Sequence, residues 1–113
     1  MILLCLARHT KGLNRFSFKN SSFSDDAVQV LLEACVKLED LELEESIHLS
    51  SRIFTVFSNF GKNLKSLNLS NSLNLELNEP ILVMKSVKQL NLRGIPVSVN
   101  IFTSCPSLEN LIL

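Results

Sequence analysis

From residue 64 the chain reads LKSLNLSNS, with leucine at the first, fourth and sixth positions and polar residues at nearly all the others. The same spacing recurs as LNRFSF from Leu13, LEDLEL from Leu38, VKQLNL from Val87 and LENLIL from Leu108, with starts 25, 26, 23 and 21 residues apart. Leucine fills twelve of the fifteen slots, and Phe or Val the other three. Chance placement of the chain's 22 leucines would fill about three, so the spacing marks an internal repeat.

The period-2 alternation in "LNL" predicts a short strand with one face in and one face out, and the leucine three residues earlier turns inward as the chain bends into the strand. A single such unit has no second wall against which to bury its leucines, so stability has to come from stacking neighbours. The segments between strands predict the return path. Over 24–35, Ser24 is suited to an N-cap, Asp25 and Asp26 to the positive end of a helix, and Ala27, Val30, Leu31, Ala34 and Cys35 to its inner face. Over 50–61 the arrangement repeats, with Ser50 or Ser51 capping, Ile53, Val56, Phe57 and Phe60 facing inward, and Gly61 as the stop. The segments NEPILVMKS and VSVNIFTSCPS are shorter and carry prolines, which predicts one or two turns. Residues 2–11 are expected to form the helix of an earlier unit.

These registers resemble the leucine-rich repeat family, whose pattern L-x-x-L-x-L-x-x-N/C-x-L has a period of about 20 to 29 residues. The resemblance covers nearly the whole chain. It implies an α/β fold, a right-handed solenoid in a horseshoe arc, with a parallel sheet on the concave face and helices on the convex face. It implies one domain over 1–113: a partial repeat with its helix in 1–12, repeats starting near 13, 38, 64 and 87, and a partial repeat over 108–113. Longer outer helices in the first two repeats are expected to curve that half more. At the ninth slot stand Ser21, Ser46, Ser72 and Ile95 in place of Asn or Cys, which is expected to weaken the usual side-chain ladder. At the eleventh, Phe23 and Val97 fit; His48 and Asn74 do not, with Leu49 and Leu75 one place later. ENLIL stops directly after a strand and the start carries no polar cap, so the chain is expected to be a fragment of a longer array or to associate through its ends.

The passages EACVKLEDLEL and SCPSLENLIL resemble the C-x-x-L-x-x-L-x-L junctions of F-box proteins with leucine-rich repeats, in the ribonuclease-inhibitor-like, cysteine-containing branch. In that family the repeats recruit a substrate to a cullin-type ubiquitin ligase, and a separate F-box docks the adaptor. No F-box occurs in these 113 residues, so the resemblance implies the substrate-recognition portion of such a receptor. An intracellular repeat scaffold with no link to ubiquitin, ribonuclease-inhibitor-like or signalling, is the alternative.

Composition narrows the function further. Eleven basic residues balance eleven acidic ones, which argues against nucleic acid and anionic membranes as partners, and no apolar run approaches the roughly 18 residues of a membrane span. The opening MILLCLA lacks the basic flank of a secretory signal. Cys5, Cys35 and Cys105 are odd in number and far apart, which suits thiols in a reducing compartment and a cytoplasmic or nuclear address; the sequons at Asn20 and Asn68 are discounted accordingly.

Candidate chemistry is sparse. With Gly12, Gly61 and Gly94 the only glycines, no phosphate-cradling loop is present, and no metal-ligand spacing of Cys and His occurs, so neither cofactor nor metal is expected. Cys35 and Cys105 each precede a repeat-starting leucine by three residues, which places them in the core; a thiol-dependent enzyme built on either is a remote alternative. His9 and His48 read as surface residues.

The open strand face carries the polar alternates: Arg15, Ser17 and Lys19, then Asp40, Glu42 and Glu44, then Ser66, Asn68 and Ser70, then Gln89, Asn91 and Arg93. Charge pairing between the first two strands is expected to stabilise the sheet. The whole set, polar and held at fixed spacing, is the candidate surface for a protein target.

Overall fold

The computed structural model describes residues 12–20, 22–72, 74–76, 84–98 and 100–113. Five three-residue strands form the fold's frame: β1 (Arg15–Ser17), β2 (Asp40–Glu42), β3 (Ser66–Asn68), β4 (Gln89–Asn91) and β5 (Asn110–Ile112). They make one parallel sheet in the order β1-β2-β3-β4-β5. The protein is thus α/β, with every strand paired to its sequence neighbours. The registers match the repeat slot for slot, Phe16, Leu41, Leu67, Leu90 and Leu111 lying side by side.

Three helices occur among the described residues: α1 (Asp25–Ala34), α2 (Ile53–Phe60) and the one-turn α3 (Ile101–Ser104). Ser24 caps α1, its Oγ accepting the Ala27 N–H at 3.3 Å, worth about 1 kcal/mol. The inner side of α1 holds Ala27, Val28, Leu31, Leu32 and Cys35, whereas Val30 and Ala34 are only half-buried, so the helix is rolled from the face the sequence suggests. In α2 the buried set is Ile53, Phe54, Val56 and Phe57, and Phe60 is exposed. Arg52, in helical conformation, precedes α2 without a side-chain cap, and the Ser50 Oγ instead accepts the Arg52 N–H at 3.3 Å. The expected helix over 2–11, Cys5, His9, Ser21 and most of the segment 78–86 lie outside the described residues.

One apolar cluster joins strands and helices, containing Leu38, Leu41, Leu43, Leu64, Leu67, Leu69, Val87, Leu90 and Leu92 from the repeat slots. The end units depart from this. Phe18 and Leu113, the sixth-slot residues of the first and last units, are 39% and 67% exposed; among the described residues each has a neighbouring strand on one side only. Phe18 instead rests on Phe23, ring centres 5.1 Å apart.

After each of the first four strands the chain turns through a residue of positive φ: Asn20 (57°), Glu45 (56°), Asn71 (59°) and Gly94 (80°), all seven residues beyond a repeat start. The backbone N–H groups of the first three continue the ladder to the next unit, onto Glu44 O, Ser70 O and Arg93 O at 3.0, 2.9 and 2.7 Å. The ninth-slot serines link neighbours as well: the Ser46 N–H donates to Ser72 Oγ at 3.2 Å, and the Ser46 hydroxyl to Leu43 O at 2.8 Å. Leu49 and Leu75 are buried while His48 and Asn74 are exposed, as the displaced leucines suggest.

Candidate functional site

Alternation along three-residue strands leaves the flanking residues of each strand on the sheet face opposite the buried leucines. Parallel in-register pairing then aligns them as two columns, polar except for Ile112 at the end of one. Arg15, Asp40, Ser66, Gln89 and Asn110 form one; Ser17, Glu42, Asn68, Asn91 and Ile112 form the other. All ten are exposed or half-buried. Eight come directly from the sequence reading. Asn110 and Ile112 do not, although the alternation in LENLIL applies to them equally.

The two halves of this face differ in chemistry. Over β1 and β2 the polar groups are spent on one another: Arg15 Nη2 lies 3.2 Å from Glu42 Oε1, Arg15 Nε 3.5 Å from Asp40 Oδ2, and the Ser17 hydroxyl donates to Glu42 Oε2 at 3.4 Å. Asp40 Oδ1 is covered and has no hydrogen-bond partner among the described residues. Such exposed pairs contribute about 0 to 1 kcal/mol each, so their effect is to neutralise this half more than to stabilise it.

Over β3 to β5, the side chains of Ser66, Gln89 and Asn110 have no hydrogen-bond or ion-pair partner among the described residues. They border a shallow depression of about 380 Å³ together with Asn68 and Asn91. Asn68 and Asn91 are oriented from below: each Oδ1 accepts the backbone N–H two residues on, of Ser70 at 3.0 Å and Arg93 at 3.1 Å. Asn68 Nδ2 also donates to Glu44 Oε1 at 2.8 Å. The amides are thereby held in one rotamer at little further entropic cost.

The row beyond the strand ends is less uniform. Lys19 and Arg93 are exposed and Glu44 half-buried, but Ser70 is 5% exposed and leaves the accessible set. Its turn packs against the neighbouring unit, the Ser70 carbonyl accepting the Glu45 N–H. Lys19 approaches Glu45 at 4.0 Å, in place of a carboxylate on the open face.

The thiols sit elsewhere. Cys35 and Cys105 are each 1% exposed, in the turns before β2 and β5, and burial pushes the Cys105 thiol up to about 11. A thiol held protonated is a poor nucleophile and a poor metal ligand. Among the described residues no three His, Cys, Asp or Glu side chains converge on a common point, and no helix is long and apolar enough to cross a membrane. His48 is exposed in a bend.

No family model matches the chain, and no curated protein matches it in sequence.

Proposed function

We propose that the chain is a leucine-rich-repeat solenoid whose polar sheet face, concave in the arc, binds a protein. The observation that carries this is the unpaired half of the face. Ser66, Gln89, Asn91 and Asn110 stand in registered columns on a parallel sheet, with no partner among the described residues for three of the four side chains. Rigid, spaced hydrogen-bonding groups on a flat sheet suit a macromolecular surface, and a depression this shallow is a poor fit for a small molecule. The arc is supported by helices α1 and α2, of ten and eight residues, which are wider than the strands they connect and so splay the units on the helical side; α3, of four residues, curves its end less.

Within that reading, the Cys35-x-x-Leu38-x-x-Leu41-x-Leu43 and Cys105-x-x-Leu108-x-x-Leu111-x-Leu113 junctions favour the substrate-recognition repeats of an F-box-type ubiquitin ligase receptor. The two intervening junctions hold Gly61 and Met84 where those hold cysteine, and this favours the second reading, a repeat scaffold without a link to ubiquitin. Catalysis has no part in either. The test is crosslinking in native extract with the wild type and with Gln89→Ala/Asn91→Ala/Arg93→Ala. A crosslinked protein lost in the variant, whose fold is unchanged by circular dichroism, supports the proposal, and an identical set of crosslinks rejects it. Co-purification of a cullin adaptor with the native full-length protein separates the ligase reading from the scaffold.

A further inference from the structure

Five of the chain's seven lysines, Lys37, Lys62, Lys65, Lys85 and Lys88, lie just before β2, β3 and β4, and all five are exposed. Parallel pairing brings these passages together along one edge of the sheet, where the strands begin. Lys65 O accepts both the Lys88 and the Gln89 N–H, at 2.8 and 3.0 Å, so Lys65 and Lys88 are neighbours across two strands. The carboxylates of the same row are Glu39 and Glu109. Glu39 pairs with Lys65 at 3.2 Å, while Lys37, Lys62, Lys85 and Lys88 have no ion-pair partner among the described residues. In a chain of zero net charge this is a local excess of cations, five lysines against the two carboxylates of the row.

The edge is also shaped. A groove of about 430 Å³ is lined by Lys37, Glu39, Lys62, Asn63, Lys65 and Ser86, among others. It shares Lys62 and Ser86 with a second groove of about 510 Å³, to which Lys85, Phe57 and Met84 contribute. We infer that this edge is a second binding surface, and that it takes a short acidic segment of a protein partner. Strands about 4.8 Å apart put three successive passages across about 10 Å, the reach of about three extended residues. A run of Asp or Glu matches that length. A nucleic acid backbone or a lipid surface calls for a longer cationic track than three turns supply.

The inference rests on the protein-binding reading for its class of partner but uses different residues, so the two fail separately. The test is fluorescence anisotropy on the whole chain, with a labelled peptide of about six glutamates, its glutamine counterpart, a single-stranded RNA and phosphatidylserine vesicles as probes. Binding of the glutamate peptide, weakened about tenfold or more between about 50 and 500 mM salt, is the expected result. Lys62→Gln/Lys65→Gln/Lys88→Gln is expected to weaken it comparably, and Gln89→Ala/Asn91→Ala to leave it unchanged. Equal binding of the two peptides, tighter binding of RNA or vesicles, or loss of peptide binding in the sheet-face variant overturns the inference. The salt series on the wild type needs no variant to fold.

Discussion

Asp25, the first residue of α1, accepts hydrogen bonds from both the backbone N–H and the hydroxyl of Ser50, one unit further along the chain. The carboxylate is almost wholly buried, and Arg52 Nε approaches it at 3.8 Å. Arg52 itself reaches Asp26 at 2.8 Å, and that bond is the main reason its guanidinium pKa is raised. One buried carboxylate therefore ties the start of α1 to the turn that starts α2.

Asp25→Ala is expected to destabilise by about 2 kcal/mol, since it strands the Ser50 donors as well as removing the acceptor. Urea unfolding of Asp25→Ala, Ser50→Ala and the double variant measures this. Coupling between the two substitutions identifies the contact as the cause, and strict additivity would refute it.

Glu45 occupies a left-handed conformation that Asn20, Asn71 and Gly94 fill in the other units. Left-handed backbone costs a residue with a Cβ about 1 to 2 kcal/mol, less for Asn and none for Gly. Glu45→Gly is therefore expected to raise the stability by about 1 kcal/mol, the 4.0 Å approach to Lys19 contributing little to oppose it. Gly94→Ala runs the other way, because its Cβ would sit 2.7 Å from Asn71 Oδ1 at a φ of 80°. A higher denaturation midpoint for the first and a lower one for the second is the pattern to look for.

Gly61 ends α2 at a φ of −100°, so space and not left-handed backbone dictates the residue. A Cβ there would lie 2.5 Å from Leu64 Cδ1 and 2.9 Å from the Phe57 carbonyl. Gly61→Ala is expected to cost about 1 to 3 kcal/mol by overpacking. Restoration of the melting temperature by Leu64→Val in the same chain would locate the strain at that contact.

Cys105 carries a pH signature. Its folded pKa, near 11, lies above the ordinary 9.0, so the buried thiol stays protonated where the unfolded chain's thiol ionises. The resulting contribution is fully present below pH 9 and is lost as pH rises toward 11. Cys105→Val is expected to flatten the decline of thermal stability across that window relative to the wild type. Labelling of the native wild type at neutral pH is expected to be slower than that of the urea-unfolded chain.

Much of this fold was legible in the sequence because one constraint repeats. Leu38, Leu41 and Leu43 meet the same walls as Leu64, Leu67 and Leu69, so spacing alone identifies strands, their faces and their pairing. What was not legible depends on docking. Val28 and Leu32 replace Val30 and Ala34 in the core because helix rotation is set by the sheet beneath it, and period 3.6 admits either stripe. Asp25 reads as a helix-dipole residue until Ser50 is folded against it. Of the candidate face, Arg15, Asp40 and Glu42 were expected to pair, and do. Ser70 was expected to be open and is buried: the ladder continues past the strand and places it between Glu44 and Arg93, and its short side chain does not project beyond those longer neighbours.

The strand order has a kinetic consequence. Each described strand touches only the strands before and after it in sequence, so no ladder contact staples the first to the last. Such a structure melts as a zipper, fraying from its outer teeth. Amide exchange is expected to follow position: slowest at Leu67 in the middle strand, fastest in β1 and β5, graded between them. Uniform protection across all five strands would mean that the molecule opens in a single concerted event.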